Sequence, residues 1–399
     1  MGTLIHKLNI EAVAFLILIF TFSLSYLLIP KLIDIIKYMN LMDKPDVRSS
    51  HKDETPTLGG IVFYISIVLS LYIIHFFDNV DISFNIITGL TILFFVGIKD
   101  DLMVLSAGSK VVVQLVAITF ILLNSDLHII SFNGFLGVNE IPFLLMIIFS
   151  YLIVIFIINA YNLIDGIDGL AGMLGILIFT IYAILFYQLK LYLYFLLTSM
   201  SIGFLMAFLR YNLSKNKKIF MGDTGSMIIG FLIGILTLRF LALNTFQFTE
   251  IHIKPQNALL IVLVILFFPT IDVTRVVFMR LINKKKPFQA DRCHMHHILV
   301  DKGLSHKKAS TVLIFSSIFI FLVIFFMNTL LNYFGLIILF FFLTLFTYFV
   351  LLILDSDRSA RKYRKRFRSY FPKEFQFWEF RIRKKIIITL KELFFKNLN

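Results

Sequence analysis

Long apolar runs dominate the sequence, and short polar segments separate them. A helix that crosses a bilayer takes about 20 mostly apolar residues, so each run is a candidate transmembrane helix. The candidates are residues 10–30, 60–77, 83–98, 111–124, 141–159, 170–188, 191–209, 226–241, 257–280, 311–329 and 332–354. The pattern therefore predicts an all-α integral membrane protein with about eleven transmembrane helices.

The first apolar run could be either a signal peptide or a transmembrane helix. It begins after only nine residues and carries no small-residue cleavage site, so we interpret it as a retained transmembrane helix and not as a signal peptide. Hydrophobic residues make up 59% of the 399-residue chain, which is rare in a soluble domain. The single cysteine excludes an intrachain disulfide.

Positive charge is distributed unevenly between the connecting segments. Nearly all of the 38 Lys and Arg residues fall in alternate connections or in the C-terminal tail. Because positively charged loops stay in the cytosol, this asymmetry predicts an external N-terminus, a cytosolic C-terminus and cytosolic polar loops. The net charge of +14 is thereby explained without a nucleic-acid partner.

The composition divides the chain into two parts. Residues 1–354 are expected to form one polytopic membrane domain, and residues 355–399 form a basic cytosolic tail. The end of the tail mixes Lys and Arg with Trp378, Phe380 and Leu390, which is typical of an amphipathic helix on an anionic membrane surface. A solvated basic tail is the alternative interpretation.

Acidic residues gather where the apolar runs meet the predicted cytosolic side. Acids at membrane depth are costly and normally mark function. Neighbouring carboxylates become tolerable when they bind protons or a hard cation such as Mg²⁺. The acids are Asp100 and Asp101 after the third run, Asp165 and Asp168 after the fifth, Asp223 before the eighth, and Asp272 within the ninth.

Glycine turns and lysines accompany these acids. Gly follows both Asp165 and Asp168, and such turns let the backbone come close to a ligand. Asp223 opens a helix whose free N–H groups favour anions, and Lys110 lies near the first acid pair. Carboxylates, a cation, a helix N-terminus and lysines together favour phosphoryl transfer on a diphosphate.

The stretch "ADRCHMHHIL" carries three histidines, His294, His296 and His297. Since His294 and His297 stand at i and i+3, zinc could use this helical face. The abundant carboxylates nevertheless favour a hard ion with oxygen ligands. We therefore expect the histidines to donate hydrogen bonds to the diphosphate.

Five ordered motifs carry a resemblance to a known family. They read "RSSHKDETPTLGG", "GIKDDL", "NAYNLIDGIDGLAG", "FMGDTGS" and "KKPFQADRCHMHHIL", and they span about residues 40–310. The set resembles the polyprenyl-phosphate N-acetylhexosamine-1-phosphate transferases of glycosyltransferase family 4. The resemblance implies transfer of a sugar-1-phosphate from a UDP-sugar to undecaprenyl phosphate, with release of UMP.

The resemblance also implies roles for the acids at the phosphates. Asp223 matches the principal ligand of Mg²⁺, with Mn²⁺ as a possible substitute, and Asp101 matches a position at the metal and phosphates. Asp100 matches the residue that orients or deprotonates the lipid phosphate. Asp168 matches a further catalytic position near the metal and phosphates.

Other matched positions imply contacts with the donor substrate. Lys52 and Phe220 match residues that hold and stack the uracil, and Asn162 and Asp165 match positions near the nucleotide. The remaining expected substrate-binding residues are Lys110, Asp272, His294, His296 and His297.

Several questions stay open from the sequence. The His-x-His-His pattern resembles the branch that initiates O-antigen, capsule or teichoic acid, whereas "TPTLGG" resembles the phospho-N-acetylmuramoyl-pentapeptide transferases of peptidoglycan synthesis. A multi-helix transporter and a zinc enzyme are alternatives of other classes. UDP-N-acetylglucosamine is the favoured donor, with N-acetylgalactosamine and the 6-deoxy sugars N-acetylfucosamine and N-acetylquinovosamine as alternatives. Direct attack by the lipid phosphate is the favoured mechanism, and a covalent aspartyl intermediate is the alternative. We expect the protein in the inner (cytoplasmic) membrane, where it could form a homodimer.

Overall fold

The computed structural model of the protein describes most of the chain. The described residues are 9–43, 54–78, 82–282, 284 and 294–353. The predicted amphipathic tail at 355–399 lies outside them, as do Lys52 and Cys293.

Helices make up most of the described chain. In chain order they are α1 (Ile10–Tyr38), α2 (Gly60–Asp78), α3 (Ile82–Leu102), α4 (Ala107–Leu122), α5 (Phe143–Ile164), α6 (Leu170–Gln188), α7 (Tyr192–Asn212), α8 (Gly222–Leu241), α9 (Thr245–Glu250), α10 (Ala258–Ile265), α11 (Phe267–Ile282), α12 (Met295–Asp301), α13 (His306–Met327) and α14 (Tyr333–Ile353). Two 3₁₀ turns, Ser125–Leu127 and Pro255–Asn257, connect them.

The helices coincide with the predicted apolar runs, so the chain is a multi-pass helical membrane protein. Within the described residues, seven helices are long and apolar enough to cross a membrane: α1, α3, α5, α6, α7, α8 and α13. The apolar parts of α2, α4 and α14 are shorter, and α10 with α11 forms one bent pair. The number of crossings and the orientation of the termini stay predictions.

The ninth run is broken where the sequence predicts one continuous helix. The 3₁₀ turn and α10 meet α11 at a bend of 77°. Pro269 lies in the first turn of α11 and has no N–H to donate to the carbonyl of Ile265, so a straight helix would lose this bond. The hydrophobic pattern does not predict the break, because the apolar run continues through the bend.

Helix α8 forms the centre of the bundle. Its residues from Thr224 to Leu238 are all buried, and it packs against α2, α3 and α5. Gly230 and Gly234 lie one turn apart and face the Ile158 backbone and the Val154 side chain of α5. The absence of a Cβ at both positions lets the two backbones approach closely, as is common between membrane helices.

Two short antiparallel strand pairs lie in the connections between the helices. Strand β1 (Met42–Asp43) pairs with β2 (Thr55–Pro56), just before α2. Strand β3 (Ser131–Phe135) pairs with β4 (Val138–Glu140) in the connection between α4 and α5.

Candidate active site

The start of α8 is fixed by a carboxylate from α3. Asp101 Oδ1 accepts the backbone N–H of Asp223 at 2.7 Å. Its Oδ2 accepts both the backbone N–H and the hydroxyl of Thr224, at 3.1 and 2.6 Å. A carboxylate at a helix N-terminus satisfies N–H groups that have no partner within the helix. Asp101 therefore orients the first turn of α8, on which Asp223 lies.

Gly222 makes this arrangement possible. Its φ is +72°, a conformation that favours glycine, and a Cβ there would lie 2.7 Å from both carboxylate oxygens of Asp101. The "MGD" segment thus requires glycine for both its backbone angle and its distance from the acid.

Asp223 meets side chains from three other helices. Asn162 of α5 donates to Asp223 Oδ1 and also to Ser226 Oγ, the latter at 2.7 Å. Lys110 of α4 lies 3.3 Å from Asp223 Oδ2 and forms an ion pair with Asp100. The carboxyl groups of Asp100 and Asp223 lie within hydrogen-bonding distance of one another. One lysine thus bridges two crowded acids.

Asp165, next to this group, has no cationic partner among the residues that the structure describes. It lies directly after α5, and its carboxyl group makes no hydrogen bond to any described residue. Burial, together with the negative charges of Asp223, Asp168 and Asp101, raises the pKa of Asp165 to about 7. We call Asp100, Asp101, Asp165 and Asp223 the acid cluster.

Asp168 lies in a different environment from the acid cluster. Lys218 Nζ lies 2.7 Å and His306 Nδ1 lies 3.1 Å from Asp168 Oδ2. Although burial opposes ionisation, the hydrogen bonds of His306 and Lys218 hold the pKa of Asp168 below its usual value. Lys218 Nζ is also 5.0 Å from the centre of the Phe220 ring. The sequence predicts Asp168 near the phosphates, whereas its contacts group it with the aromatic ring.

The "TPTLGG" motif holds the backbone of Phe220. The N–H of Phe220 donates to the carbonyl of Pro56 at 2.8 Å. The N–H groups of Gly59 and Gly60 donate to the carbonyls of Phe220 and Met221 at 3.0 and 2.9 Å. This motif carries part of the family resemblance. Its hydrogen bonds to the backbone of Phe220 join residues that are far apart in the sequence, so no sequence pattern predicts them.

Asp272 is completely buried in α11. Its Oδ2 lies 2.7 Å from His294 Nδ1, and its Oδ1 accepts the backbone N–H of Met295 at 2.8 Å and the Arg275 guanidinium at 3.1 Å. The sequence predicts that Asp272 binds substrate. Both carboxylate oxygens are engaged within the protein, by His294, Met295 and Arg275, and its binding of substrate stays a prediction.

Within the histidine segment, residues 294–297, His296 is the side chain that packs against the turn after Asp165. Its ring is fully buried, and neither nitrogen has a hydrogen-bond partner among the described residues. A Cβ placed on Gly166 would lie 2.2 Å from His296 Nε2, so the imidazole packs directly on the turn after Asp165. Burial lowers the pKa of His296 well below its usual value, and the nearby His297 adds to this effect.

The structure therefore brings together most of the residues that the sequence selected. The acid cluster, Lys110 and Asn162 meet at the start of α8, and the histidines adjoin the turn at Gly166. Lys52, expected at the uracil, lies outside the described residues. The sequence did not single out three other contacting groups: Thr224, Ser226 and His306.

A divalent cation fits the chemistry of the acid cluster. Asp100 and Asp223 share a single lysine, and Asp165 adds an oxygen donor without a hydrogen bond in the described chain. No three His, Cys, Asp or Glu side chains within the described ranges form a ready cage for a metal. Mg²⁺ commonly binds through one or two carboxylates and completes its shell with water and substrate phosphates.

Known proteins with similar sequences fall in one family. Residues 83–241 match the profile of glycosyl transferase family 4. An undecaprenyl-phosphate alpha-N-acetylglucosaminyl 1-phosphate transferase of Salmonella typhi is 28% identical over 308 residues, which cover 75% of this chain and 79% of the relative. The protein of the same name from Escherichia coli (strain K12) is 26% identical over 302 residues, covering 74% and 78%. A probable undecaprenyl-phosphate N-acetylglucosaminyl 1-phosphate transferase of Bacillus subtilis is 28% identical over 280 residues, covering 68% and 73%.

Proposed function

Because the chain belongs to glycosyl transferase family 4, we propose that it transfers an N-acetylhexosamine-1-phosphate group from a UDP-sugar to undecaprenyl phosphate and releases UMP. In this reaction an oxygen of the lipid phosphate forms a bond to the sugar-side phosphorus of the donor. The bond from that phosphorus to the bridging oxygen breaks, and UMP leaves with the electron pair.

The acid cluster at the start of α8 is the observation that carries this proposal. Residues from α3, α4, α5 and α8 bring acids and one lysine to a single end of the bundle. A lipid phosphate approaches from the bilayer and a nucleotide sugar from water, so the membrane surface is where the two can meet. The positive connecting segments favour the cytosolic surface of the cytoplasmic membrane for this meeting.

Mg²⁺ is the proposed cofactor, and Asp223 with Asp100 or Asp165 would hold it. When bound, it would neutralise charge on the diphosphate and on the departing UMP. Asp101 contributes indirectly, because its contacts keep Asp223 in place. A covalent aspartyl intermediate is the alternative to direct attack.

The side chains of the protein account for the remaining steps. Asp100 lies beside Lys110 and is suited to orient the lipid phosphate, which is already largely ionised at neutral pH. The lysine offsets negative charge where the two phosphates meet. Phe220, braced by Gly59 and Gly60, offers an aromatic face for the uracil.

The sugar is proposed to be N-acetylglucosamine, in keeping with the names of the relatives. The product would then begin a cell-surface glycan such as O-antigen, capsule or teichoic acid. A second protein copy is a possible partner in the membrane.

Release of UMP by the purified protein tests the proposal. The protein in lipid vesicles should release UMP from UDP-N-acetylglucosamine only when both undecaprenyl phosphate and Mg²⁺ are present. A panel containing UDP-N-acetylgalactosamine and UDP-N-acetylmuramoyl-pentapeptide identifies the sugar and tests the peptidoglycan alternative. No release from any donor would refute the transferase, and full release in EDTA would refute the metal requirement.

A further inference from the structure

We propose that Asp272 is a positioning residue that fixes the tautomer and ring orientation of His294, so that the Nε2 atom of His294 faces the donor substrate. The proposal rests on the proposed transferase function for the identity of that substrate. It rests on the contacts of α11 and α12 for the pairing itself.

The contacts of Asp272 determine which nitrogen of His294 carries a proton. Arg275 and the backbone N–H of Met295 both donate to Asp272 Oδ1, which favours the ionised carboxylate. An ionised carboxylate only accepts hydrogen bonds. Since Asp272 Oδ2 lies 2.7 Å from His294 Nδ1, that nitrogen must be the protonated one.

The other nitrogen of His294 is left available by this pairing. His294 Nε2 makes no hydrogen bond to any residue in the described ranges. The ring itself is held firmly, because only 4% of His294 is exposed and it stacks on His296 at 5.7 Å. With its proton on Nδ1, the neutral imidazole presents Nε2 as an acceptor, which suits a hydroxyl or amide N–H of the sugar rather than a phosphate oxygen.

The position of the pair links it to the proposed active site. His296 separates His294 from Gly166, and Gly166 directly follows Asp165 of the acid cluster. His294 therefore lies one imidazole ring away from the turn that carries this acid. This is where the sugar-phosphate end of a donor held at the acid cluster would be expected.

Asp272 also holds the first residue of α12, and this structural role must be separated from the positioning role. The hydrogen bond from Met295 N would persist if the carboxylate were replaced by an amide, because the amide oxygen still accepts. The same two donors would keep that oxygen at the Oδ1 position. The amide NH₂ would then face His294 Nδ1 and force the proton onto Nε2.

Asp272→Asn, which is nearly isosteric, should therefore reverse the tautomer of His294. We expect it to lower kcat/KM for UMP release about 10- to 100-fold, the usual effect of removing a group that orients a ligating histidine. The folded yield and melting temperature should stay close to those of the unmutated protein. Asp34→Asn, at an exposed acid of α1, is the matched control and should leave kcat/KM unchanged.

A double-mutant cycle shows whether Asp272 acts through His294. In a His294→Ala background, Asp272→Asn should cause no further loss of kcat/KM, since the histidine that it orients is gone. Losses that multiply in the double variant would overturn the proposal and leave Asp272 as a brace of α12.

Nitrogen NMR of histidine-labelled protein in vesicles gives a readout that does not depend on turnover. The resonances of His294 are assigned by their loss in His294→Ala. Its protonated nitrogen should be Nδ1 in the unmutated protein and Nε2 in Asp272→Asn, and identical spectra would overturn the proposal. A tautomer switch in Asp272→Asn, together with no UMP release by the unmutated protein, would refute the transferase and retain the pairing. Full UMP release by the unmutated protein without a tautomer switch in Asp272→Asn would refute the pairing and retain the transferase.

Discussion

The two ends of α13 lie in different polar surroundings: charged groups surround its start, and a nearly neutral network of amides surrounds its end. At its first turns, His306 and Ser310 contact the side chain and the backbone carbonyl of Asp168, next to the acid cluster. Beyond its last residue, the completely buried Asn328 accepts from Lys254 N and Asn257 Nδ2 and donates to the carbonyl of His252.

These surroundings differ in how charge is balanced. The Asn328 network is neutral apart from one lysine, and it is largely satisfied by its own members, as buried polar groups in a stable interior usually are. The acid cluster gathers four carboxyl groups around one lysine and leaves Asp165 without a donor in the described chain. The first arrangement is that of a stable interior, whereas the second carries negative charge that the proposed metal would balance.

The largest effect should come from Asp223→Asn. The substitution removes a charge that the proposed metal needs, so UMP release should fall about 10²- to 10³-fold. The melting temperature in EDTA should stay the same or rise, because one of several like charges is removed. The matched control is Asp126→Asn, at an exposed acid in the connection between α4 and α5, which should change neither quantity. Unchanged turnover in Asp223→Asn would refute the role given to Asp223.

Asn328→Ala should show the reverse behaviour. Because several buried hydrogen-bonding groups lose their partner, the free energy of unfolding should fall by about 2 kcal/mol or more. Turnover per folded molecule should be preserved, since the network lies away from the acid cluster. Asn332→Ala is the comparison, and it should cost only about 1 kcal/mol because this exposed residue caps α14 through the N–H of Gly335. A selective loss of turnover in Asn328→Ala would contradict the division between the two ends.

The pH dependence of stability should show that Asp165 holds a proton in the folded protein. The pKa of Asp165 is raised to about 7, so the folded protein holds a proton that the unfolded chain has already lost near pH 4. This contribution to stability is complete below pH 4 and is lost as the pH rises towards 7. In EDTA, the melting temperature should therefore fall over this interval.

Asp165→Asn serves as the comparison for that measurement. The amide has no proton to lose, so the part of the fall that comes from Asp165 should vanish. Mg²⁺ should also reduce the fall in the unmutated protein, since a cation stabilises the ionised acid. Identical pH curves for the two proteins in EDTA would contradict the role of Asp165.

The smallest effect is expected at Lys218. Lys218→Met removes the ammonium group that pairs with Asp168 and lies over Phe220. If these groups hold the nucleotide, KM for the UDP-sugar should rise about three- to tenfold, in line with the loss of a cation–π contact, while kcat changes little. Lys217→Met, at an exposed neighbour, should leave KM unchanged. An equal rise in both variants would indicate a general effect of positive charge.

The helices were predictable because a bilayer requires long apolar runs, and each predicted run lies on a helix. The break between α10 and α11 was not predicted, because Pro269 stands within continuous hydrophobicity and its consequence depends on the neighbouring helices. The meeting of Asp100, Asp223 and Asn162 was foreseeable from the motifs and from their common side of the membrane.

The direction of single side chains was not predictable. Asp272 stood out as an acid within an apolar run, but only the fold shows that it faces His294. Asp168 was expected at the phosphates, but its neighbours Lys218 and His306 come from segments about 50 and 138 residues away. Such long-range pairs leave no periodic pattern in the sequence, whereas a transmembrane helix does.

The burial of α8 has a consequence for biogenesis. Its main neighbours, α2, α3 and α5, all precede it in the chain, so they leave the ribosome first and form the slot that α8 enters. Asp100, Asp101 and Asn162 are already in the membrane when Asp223 arrives. The repulsion between Asp223 and the earlier acids thus arises only at this late step. A nascent chain that ends before residue 222 should leave an open groove between α2, α3 and α5. We expect membrane quality control to recognise such a groove.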